Sequence, residues 1–314
     1  MQSHLFQTGQ TELHGSLVAL NSMQARLREA HASGLVEVRI NPTRQIMIVY
    51  ANGALTGSYL LENETSRPFH VAELTTLWGG APFSVSMVPL PDRAGRAIWL
   101  VVESQKREEF EIHSTVEWTK RLEAWKEEGF SGAVEIASKS LQGFAAIHNG
   151  NLLDAESVFF NGQMFENSLP PEFDTQETWK VTSYSPSQTS HSWKCLALRS
   201  SAAPWAEGIL NRYESLAGQR FLQVTSKEVG ILLEPWQWKI NLDQGRITDK
   251  HFFASTEATA HAYRALFMAL GTQMNFVIGG SLTLRIMTEI FEELEKKQRS
   301  VLEAHRLIPA AFSN

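Results

Sequence analysis

An Asn-Gly pair flanked by apolar, strand-forming residues occurs twice in this chain, and a related Gln-Gly pair occurs a third time. The first sits within Ile46–Thr56 at Asn52-Gly53, the second within Phe144–Asp154 at Asn149-Gly150, and the third within Trp238–Asp249 at Gln244-Gly245. A two-residue hairpin turn needs positive φ at both central positions, which Asn-Gly reaches with the least strain. Each segment therefore predicts a β-hairpin. Gly53 and Gly150 are 97 positions apart, and self-similarity at a fixed period points to an architecture of repeated units.

The flanks repeat as well. Before the first hairpin, Leu13–Ala32 places Leu17, Leu20, Leu27 and Ala30 at helical spacings. Ser33-Gly34 is expected to close that helix through a left-handed glycine. Leu35–Ile40 then alternates as a strand. Before the second hairpin, a helix over Ser114–Glu128 with Val116, Leu122 and Trp125 on its apolar face leads to Ser131-Gly132 and the strand Ala133–Ile136. Gly34 and Gly132 are 98 positions apart, so the register holds within one residue. Further on, the first copy predicts a short helix at His70–Trp78 and strands at Phe83–Val88 and Ala97–Val102. The second predicts strands at Trp179–Tyr184 and Trp193–Leu198, with loop at Asn161–Phe173 and Ser185–Ser192.

The third copy diverges. Pro204 suits the first turn of a helix reaching Leu216, Arg220–Thr225 and Gly230–Leu233 read as strands, and a long apolar helix opens at Ser255-Thr256-Glu257. Gly279-Gly280 breaks that helix, and a last one is expected over Leu282–Leu307. The expectation is an α+β protein: a tandem repeat of helix–antiparallel-sheet units, the third with two extra C-terminal helices. Its boundaries fall at the charged Glu103–Glu111 and the small-residue Ser200–Pro204, giving units over residues 1–103, 104–200 and 201–314.

The net charge of −6 and pI near 6.0 give no general attraction for nucleic acid or an acidic membrane. The lone cysteine, Cys195, has no internal disulfide partner and fits a reducing compartment. The N-terminus lacks the basic and apolar regions of a signal peptide. The longest apolar stretch, Ala258–Ile278, is interrupted by His261, Arg264, Gln273 and Asn275, and reads as a buried helix rather than a membrane span. A cytoplasmic protein is expected.

The succession helix, Ser-Gly, alternating strand, Asn-Gly hairpin, then a short helix ending in Trp-Gly-Gly-x-Pro-Phe and a strand resembles the PATAN-type domain, a bacterial signalling and scaffold module. The likeness is fullest over residues 13–88, where Gly15, Gly34, Gly53, Ala72-Glu73-Leu74 and Phe83 occupy family-like places. It is partial over 114–184 and faint over 206–278, where Gly245 and Glu257-Ala258 are the main matches. The resemblance implies protein–protein interaction in a bacterial regulatory or motility-related pathway. It carries over no site residues.

The sequence contains no zinc-ligand spacing, P-loop, dinucleotide fingerprint or nucleophile elbow. His251, Glu257 and His261 would meet around a metal only if the helix after Thr256 folded back on its entry. His148 stands before a turn, with Asp154 beyond it, but lacks a nucleophile or orienting acid. Its counterparts Ala51 and Asp243 share no chemistry with it. Asp154 and Asp249 end equivalent strands and read as turn residues, and Cys195 reads as a small hydrophobe in a strand. No cofactor and no catalytic residue is expected.

Interaction candidates remain. Trp236 and Trp238 flank one residue, so as strand residues they would share a face, able to stack on a flat ligand, anchor an interface or fill a core. Met287, Ile290, Leu294, Val301 and Ile308 form a seam on the last helix, with Glu292–Lys296 and Glu293–Lys297 pairs outside it. That seam would pair with a partner or second copy, or cover its own unit. The sequence thus favours a non-catalytic scaffold or adaptor that binds other proteins and itself. The alternatives are a sensor of a small flat ligand near the tryptophans, or an enzyme whose site combines residues such as His148 and Asp154.

Overall fold

Both Asn-Gly pairs make the turn the sequence requires, with φ of 48° and 77° at Asn52 and Gly53 and of 49° and 73° at Asn149 and Gly150. Gln244 and Gly245 do the same at 48° and 76°. The computed structural model describes residues 13–14, 17–41, 43–62, 65–70, 73, 83–139, 141–160, 165–166, 177–187 and 189–312. Eight α-helices and three antiparallel sheets among these make the protein α+β. The chain forms two units, Met1–Trp193 and Lys194–Asn314.

The first unit begins with strand β1 (Leu13–His14), helix α1 (Leu17–Glu29), and strands β2 (Gly34–Asn41), β3 (Arg44–Ala51), β4 (Ala54–Glu62), β5 (Thr65–Pro68) and β6 (Ser84–Pro89). Helix α2 (Asp92–Val102) follows. The next stretch contains β7 (Ser104–Ile112), α3 (Thr115–Glu127), β8 (Gly132–Ala137), β9 (Gln142–His148), β10 (Asn151–Phe160), β11 (Phe165–Glu166) and β12 (Trp179–Pro186). Read from the strand preceding the helix, the sheets run β1-β6-β2-β3-β4-β5 and β7-β12-β8-β9-β10-β11. The two orders are the same, strand for strand. The charged stretch Glu103–Glu111, expected as a boundary, is mostly β7, an edge strand of the second sheet.

Each helix covers one sheet face. Leu20, Met23 and Leu27 of α1 pack with Val36, Val38, Ile46, Ile48 and Tyr50. Trp118 and Trp125 of α3 pack with Val134, Ile136, Ala145, Ile147 and Trp179. Ser114 caps α3, accepting from the Glu117 N–H at 3.2 Å. The hairpin tips dock on the helix ends, where Gly53 N–H donates to Ala32 O at 2.8 Å and Gly150 N–H to Phe130 O at 2.7 Å.

Ser33 and Ser131 complete that joint, their hydroxyls accepting from Asn52 N–H at 3.1 Å and Asn149 N–H at 2.9 Å. The expected left-handed cap at Gly34 is not observed. His31 and Gly129 take that conformation, whereas Gly34 and Gly132 open β2 and β8. A Cβ there would lie 2.8 Å from Val88 O and 2.2 Å from Tyr184 O, so close strand approach is what demands glycine.

Ala97–Val102, expected as a strand, belongs to α2. Every residue from Ala94 to Val102 is buried, because α2 contacts β3 of the first sheet and β8, β9 and β10 of the second. A helix covered on both sides loses the apolar–polar period that would reveal it. The expected helix at His70–Trp78 and the motif after it lie outside the described residues, except His70, Glu73 and Phe83. Most of Asn161–Phe173 does too, although Phe165 and Glu166 pair with β10.

Beyond β12 the strand reading fails. Trp193–Leu198 lies in helix α4 (His191–Ala217), which continues through Ser200–Pro204 and leaves no boundary there. Pro204 is therefore inside a helix, where it cannot donate to Ser200 O. Gln298 Nε2 donates to that carbonyl instead, at 3.4 Å. Arg220–Thr225 and Gly230–Leu233 are also helical, within α5 (Gln219–Leu233). The third hairpin is a sheet of its own, β13 (Ile240–Asp243) and β14 (Arg246–Asp249).

Helix α6 (Thr256–Ile278) starts where expected, with Ser255 Oγ accepting from Ala258 N–H at 3.1 Å. The expected last helix divides into α7 (Gly280–Glu293) and α8 (Lys296–Ala304), since Leu294 is extended. The Glu292–Lys296 and Glu293–Lys297 spacings therefore do not lie on one helix. This unit's core gathers around Trp205, whose ring centroid is 4.0 Å from that of Phe267 and 5.0 Å from that of Phe291.

Candidate functional site

The densest polar cluster of the second unit centres on Asp249, the last residue of β14. Trp238 Nε1 donates to Oδ1 at 3.0 Å and His251 N–H donates to the same oxygen at 2.9 Å. Tyr263 O–H donates to Oδ2 at 3.0 Å, with Arg199 Nε 3.3 Å away. Arg199 also donates to His251 O at 2.7 Å. A carboxylate has about four acceptor positions; three hydrogen bonds use them here, and the Arg199 guanidinium pairs with the same group as an ion. The ion pair is buried, with side-chain exposures of 9% and 3%. Asp249 thus holds α4, α6 and the hairpin together.

The first unit has two glutamates at matching places. Glu37 and Gln45 recur as Glu135 and Gln142, offset by 98 and 97 positions. Glu135 accepts from Gln142 Nε2 at 2.8 Å and from Tyr184 O–H at 2.7 Å. Burial, then the adjoining Glu135 carboxylate, pushes the Tyr184 phenol well above its usual range. At Glu37 neither carboxylate oxygen has a hydrogen-bond partner among the described residues. In the strand pairing, Val88 stands opposite Leu35 as Tyr184 stands opposite Ala133, so the hydroxyl is missing. Burial raises the Glu37 pKa from 4.5 to about 7, opposed chiefly by the charge of nearby Arg39.

A third carboxylate, Glu103, joins elements at the end of α2. It accepts from Tyr59 O–H at 2.6 Å and from Ser192 N–H at 2.7 Å, and Trp99 Nε1 donates to the Tyr59 oxygen at 2.9 Å. Burial, followed by the Glu103 charge, raises the Tyr59 pKa. In all three clusters, the partners are structural groups within one unit.

The residues singled out in the sequence are dispersed. His148 ends β9, its ring 6.3 Å from Trp193, while the side chain of Asp154 lies outside the described residues. His251 is buried with its ring 4.5 Å from Phe253, whereas His261 is exposed with its ring 4.7 Å from Trp236. Among the described residues no three His, Cys, Asp or Glu groups could hold a metal ion. Cys195 lies in α4 rather than in a strand, and Thr259 Oγ1 donates to its sulfur at 3.4 Å.

The two tryptophans do not share a face. Trp236 lies in a 3-10 turn and is 41% exposed, Gln237 is left-handed, and Trp238 is buried against Asp249. Met287 and Ile290 are buried, while Leu294 and Val301 pack, half-buried, on the same core. That seam covers its own unit.

The exposed apolar residues lie elsewhere. Phe221, Val224, Ile231 and Leu232 of α5 are each about half exposed, at 47–53%. At 3.6 residues per turn they share roughly a third of the circumference, beside the buried Leu222, Thr225, Val229 and Leu233. The Trp236–His261 contact puts the end of α5 beside the start of α6, so the packed helices run antiparallel. Exposed Phe276 and Val277 at the end of α6 accordingly fall towards the Phe221 end of α5. The strip was missed because its segments were read as strands. The 3-4-4 spacing of Leu222, Thr225, Val229 and Leu233 was the available signal.

The arrangement is that of an α+β protein whose buried polar groups serve packing and whose second unit exposes an apolar helix face. No helix among the described residues is long and apolar enough to cross a membrane. No family model, curated protein or solved structure matches the chain.

Proposed function

We propose that this protein is a non-catalytic intracellular scaffold or regulatory adaptor that acts by binding other proteins. In this reading the first unit is a pair of PATAN-like modules arisen by duplication, and the second is a divergent helical extension. Support for the duplication comes from the matched sheet orders, the paired Ser-Gly and Asn-Gly joints and the recurring buried Glu–Gln pair.

The observation that carries the adaptor reading is the exposed strip of Phe221, Val224, Ile231 and Leu232 on α5. Exposed apolar side chains gathered on one helix face mark interaction sites, here as two pairs, Phe221 with Val224 and Ile231 with Leu232, with Glu228 between them on the same face. Its place differs from the seam expected on the C-terminal helices, which is consumed internally. The partner class is a protein, with a signalling or motility-related one favoured by the PATAN resemblance and self-association as a further possibility in a cytoplasmic setting. Glu103, Glu135 and Asp249, the carboxylates most engaged in the fold, are held by structural donors, which favours binding over catalysis.

The test is affinity capture from the native host with quantitative mass spectrometry, alongside light scattering of the purified protein. The bait is wild type or the double substitution Val224→Lys, Ile231→Lys. A partner or dimer lost with the double substitution supports the reading. A strict monomer without a reproducible partner refutes it.

A further inference from the structure

The small sheet has one edge satisfied by the protein and one that is not. In an antiparallel pair, hydrogen-bonded residue pairs alternate with pairs whose N–H and C=O point outwards. The two-residue turn makes Asp243 and Arg246 the closing bonded pair, and Asn241 and Thr248 the next. Leu242 and Ile247 therefore direct their backbone groups to opposite outer edges. On β14 the outward N–H of Ile247 donates to Glu207 Oε1 at 2.8 Å. On β13 the N–H and C=O of Leu242 bond to no group among the described residues.

That edge borders a cleft of about 340 Å³ walled by Ile240–Gln244 on one side and by Leu222, Gln223, Ser226, Lys227 and Gly230 of α5 on the other. Ser226 Oγ is buried there without a hydrogen-bond partner among the described residues. A Cβ at Gly230 would meet nothing within 4 Å among the described residues, so the helix wall is open at that point. Lys227 and Asp243 stand on opposite walls, and their charges balance. The cleft lies on the other flank of α5 from the exposed apolar strip.

We propose that this cleft binds an extended peptide segment of a partner protein by adding it as a strand to β13. A donor and an acceptor on one residue, facing the same way along a strand edge, are what another extended backbone complements. The balanced charges select no net charge in the peptide. Alternate peptide side chains would meet the apolar floor at Leu222 and the polar groups of Gln223 and Ser226. The inference rests on the adaptor reading and specifies a recognition mode within it.

The experiment is selection of short random peptides on the immobilised full-length chain, followed by fluorescence anisotropy with the enriched peptide. Gly230→Leu fills the cleft and should weaken binding at least about tenfold while leaving circular dichroism unchanged and the thermal midpoint the same or higher, since glycine disfavours a helix interior. Gln223→Trp, at an exposed position on the same wall, serves as a second block if Gly230→Leu disturbs folding. N-methylation of the peptide should abolish binding at the residue whose N–H faces the Leu242 carbonyl and be tolerated at its immediate neighbours. The proposal is overturned if no peptide is enriched, if neither block weakens binding, or if no single position is selectively sensitive to methylation. Failure here, with a host partner still captured through Val224 and Ile231, would overturn the cleft alone and leave the adaptor reading standing.

Discussion

Glycine at the hairpin tips is under two constraints, and only one is visible in sequence. Positive φ at Gly53 and Gly150 follows from the Asn-Gly pair. The close packing does not: a Cβ on Gly150 would lie 2.1 Å from Lys126 Cα, whereas one on Gly53 would stay 3.0 Å from its nearest neighbour. Gly150→Ala should therefore destabilise by well over about 1 kcal/mol, the scale of alanine at positive φ, and by more than Gly53→Ala. Urea unfolding of the two variants measures the difference. Glu37 gives the second prediction at this scale. Its pKa is raised from 4.5 to about 7, so its stabilising contribution is full below pH 4.5 and lost as pH rises through 7. The lost contribution is about 3 kcal/mol. Glu37→Gln should thus gain stability relative to wild type between pH 5 and pH 8. A gap between their unfolding free energies that does not change with pH would rule this out. That the residue is a strand glutamate was legible; that its face is covered by other elements was not.

Elements were legible wherever one face met water. The amphipathic α1 and α3 and the Ser255-capped α6 follow local periodicity, while β2 and β8 are legible from alternating residue types although both their faces are largely buried. The reading failed where a helix was covered on both sides, as in α2, or where an apparent breaker was accommodated, as in α4. Pro204 suggested a helix start because the compensating donor, Gln298, is 94 residues away in sequence. This makes a specific prediction. Gln298→Ala leaves Ser200 O without its donor and should cost about 1–3 kcal/mol. In a Pro204→Ala background the restored backbone N–H can take that carbonyl, so the cost should fall to the loss of the α8 capping box. That box, with Glu295 N–H donating to Gln298 Oε1 at 3.1 Å, is the same in both backgrounds. Equal costs, measured in a double-mutant cycle, would show that Gln298 does not substitute for the missing backbone donor.

At the scale of the whole molecule, the buried polar groups mark cohesion. Arg199 and Asp249 are a buried pair, and removing one partner of such a pair typically costs about 3–5 kcal/mol. Asp249→Ala should therefore be among the most damaging single changes in the second unit, seen as a large drop in its unfolding midpoint. The candidate site was the least legible feature. An exposed apolar strip is defined by what fails to cover it, and coverage depends on contacts distant in sequence. The resemblance suggested a binding protein, yet the residues first put forward for binding, Met287, Ile290 and Trp238, are core. The most direct test of the central claim is capture by wild type against the Val224→Lys, Ile231→Lys double substitution, both confirmed folded by circular dichroism. The account predicts a reproducible protein partner, or a dimer by light scattering, that the double substitution removes. A monomer that captures nothing reproducibly, or a partner held equally by both proteins, would contradict it.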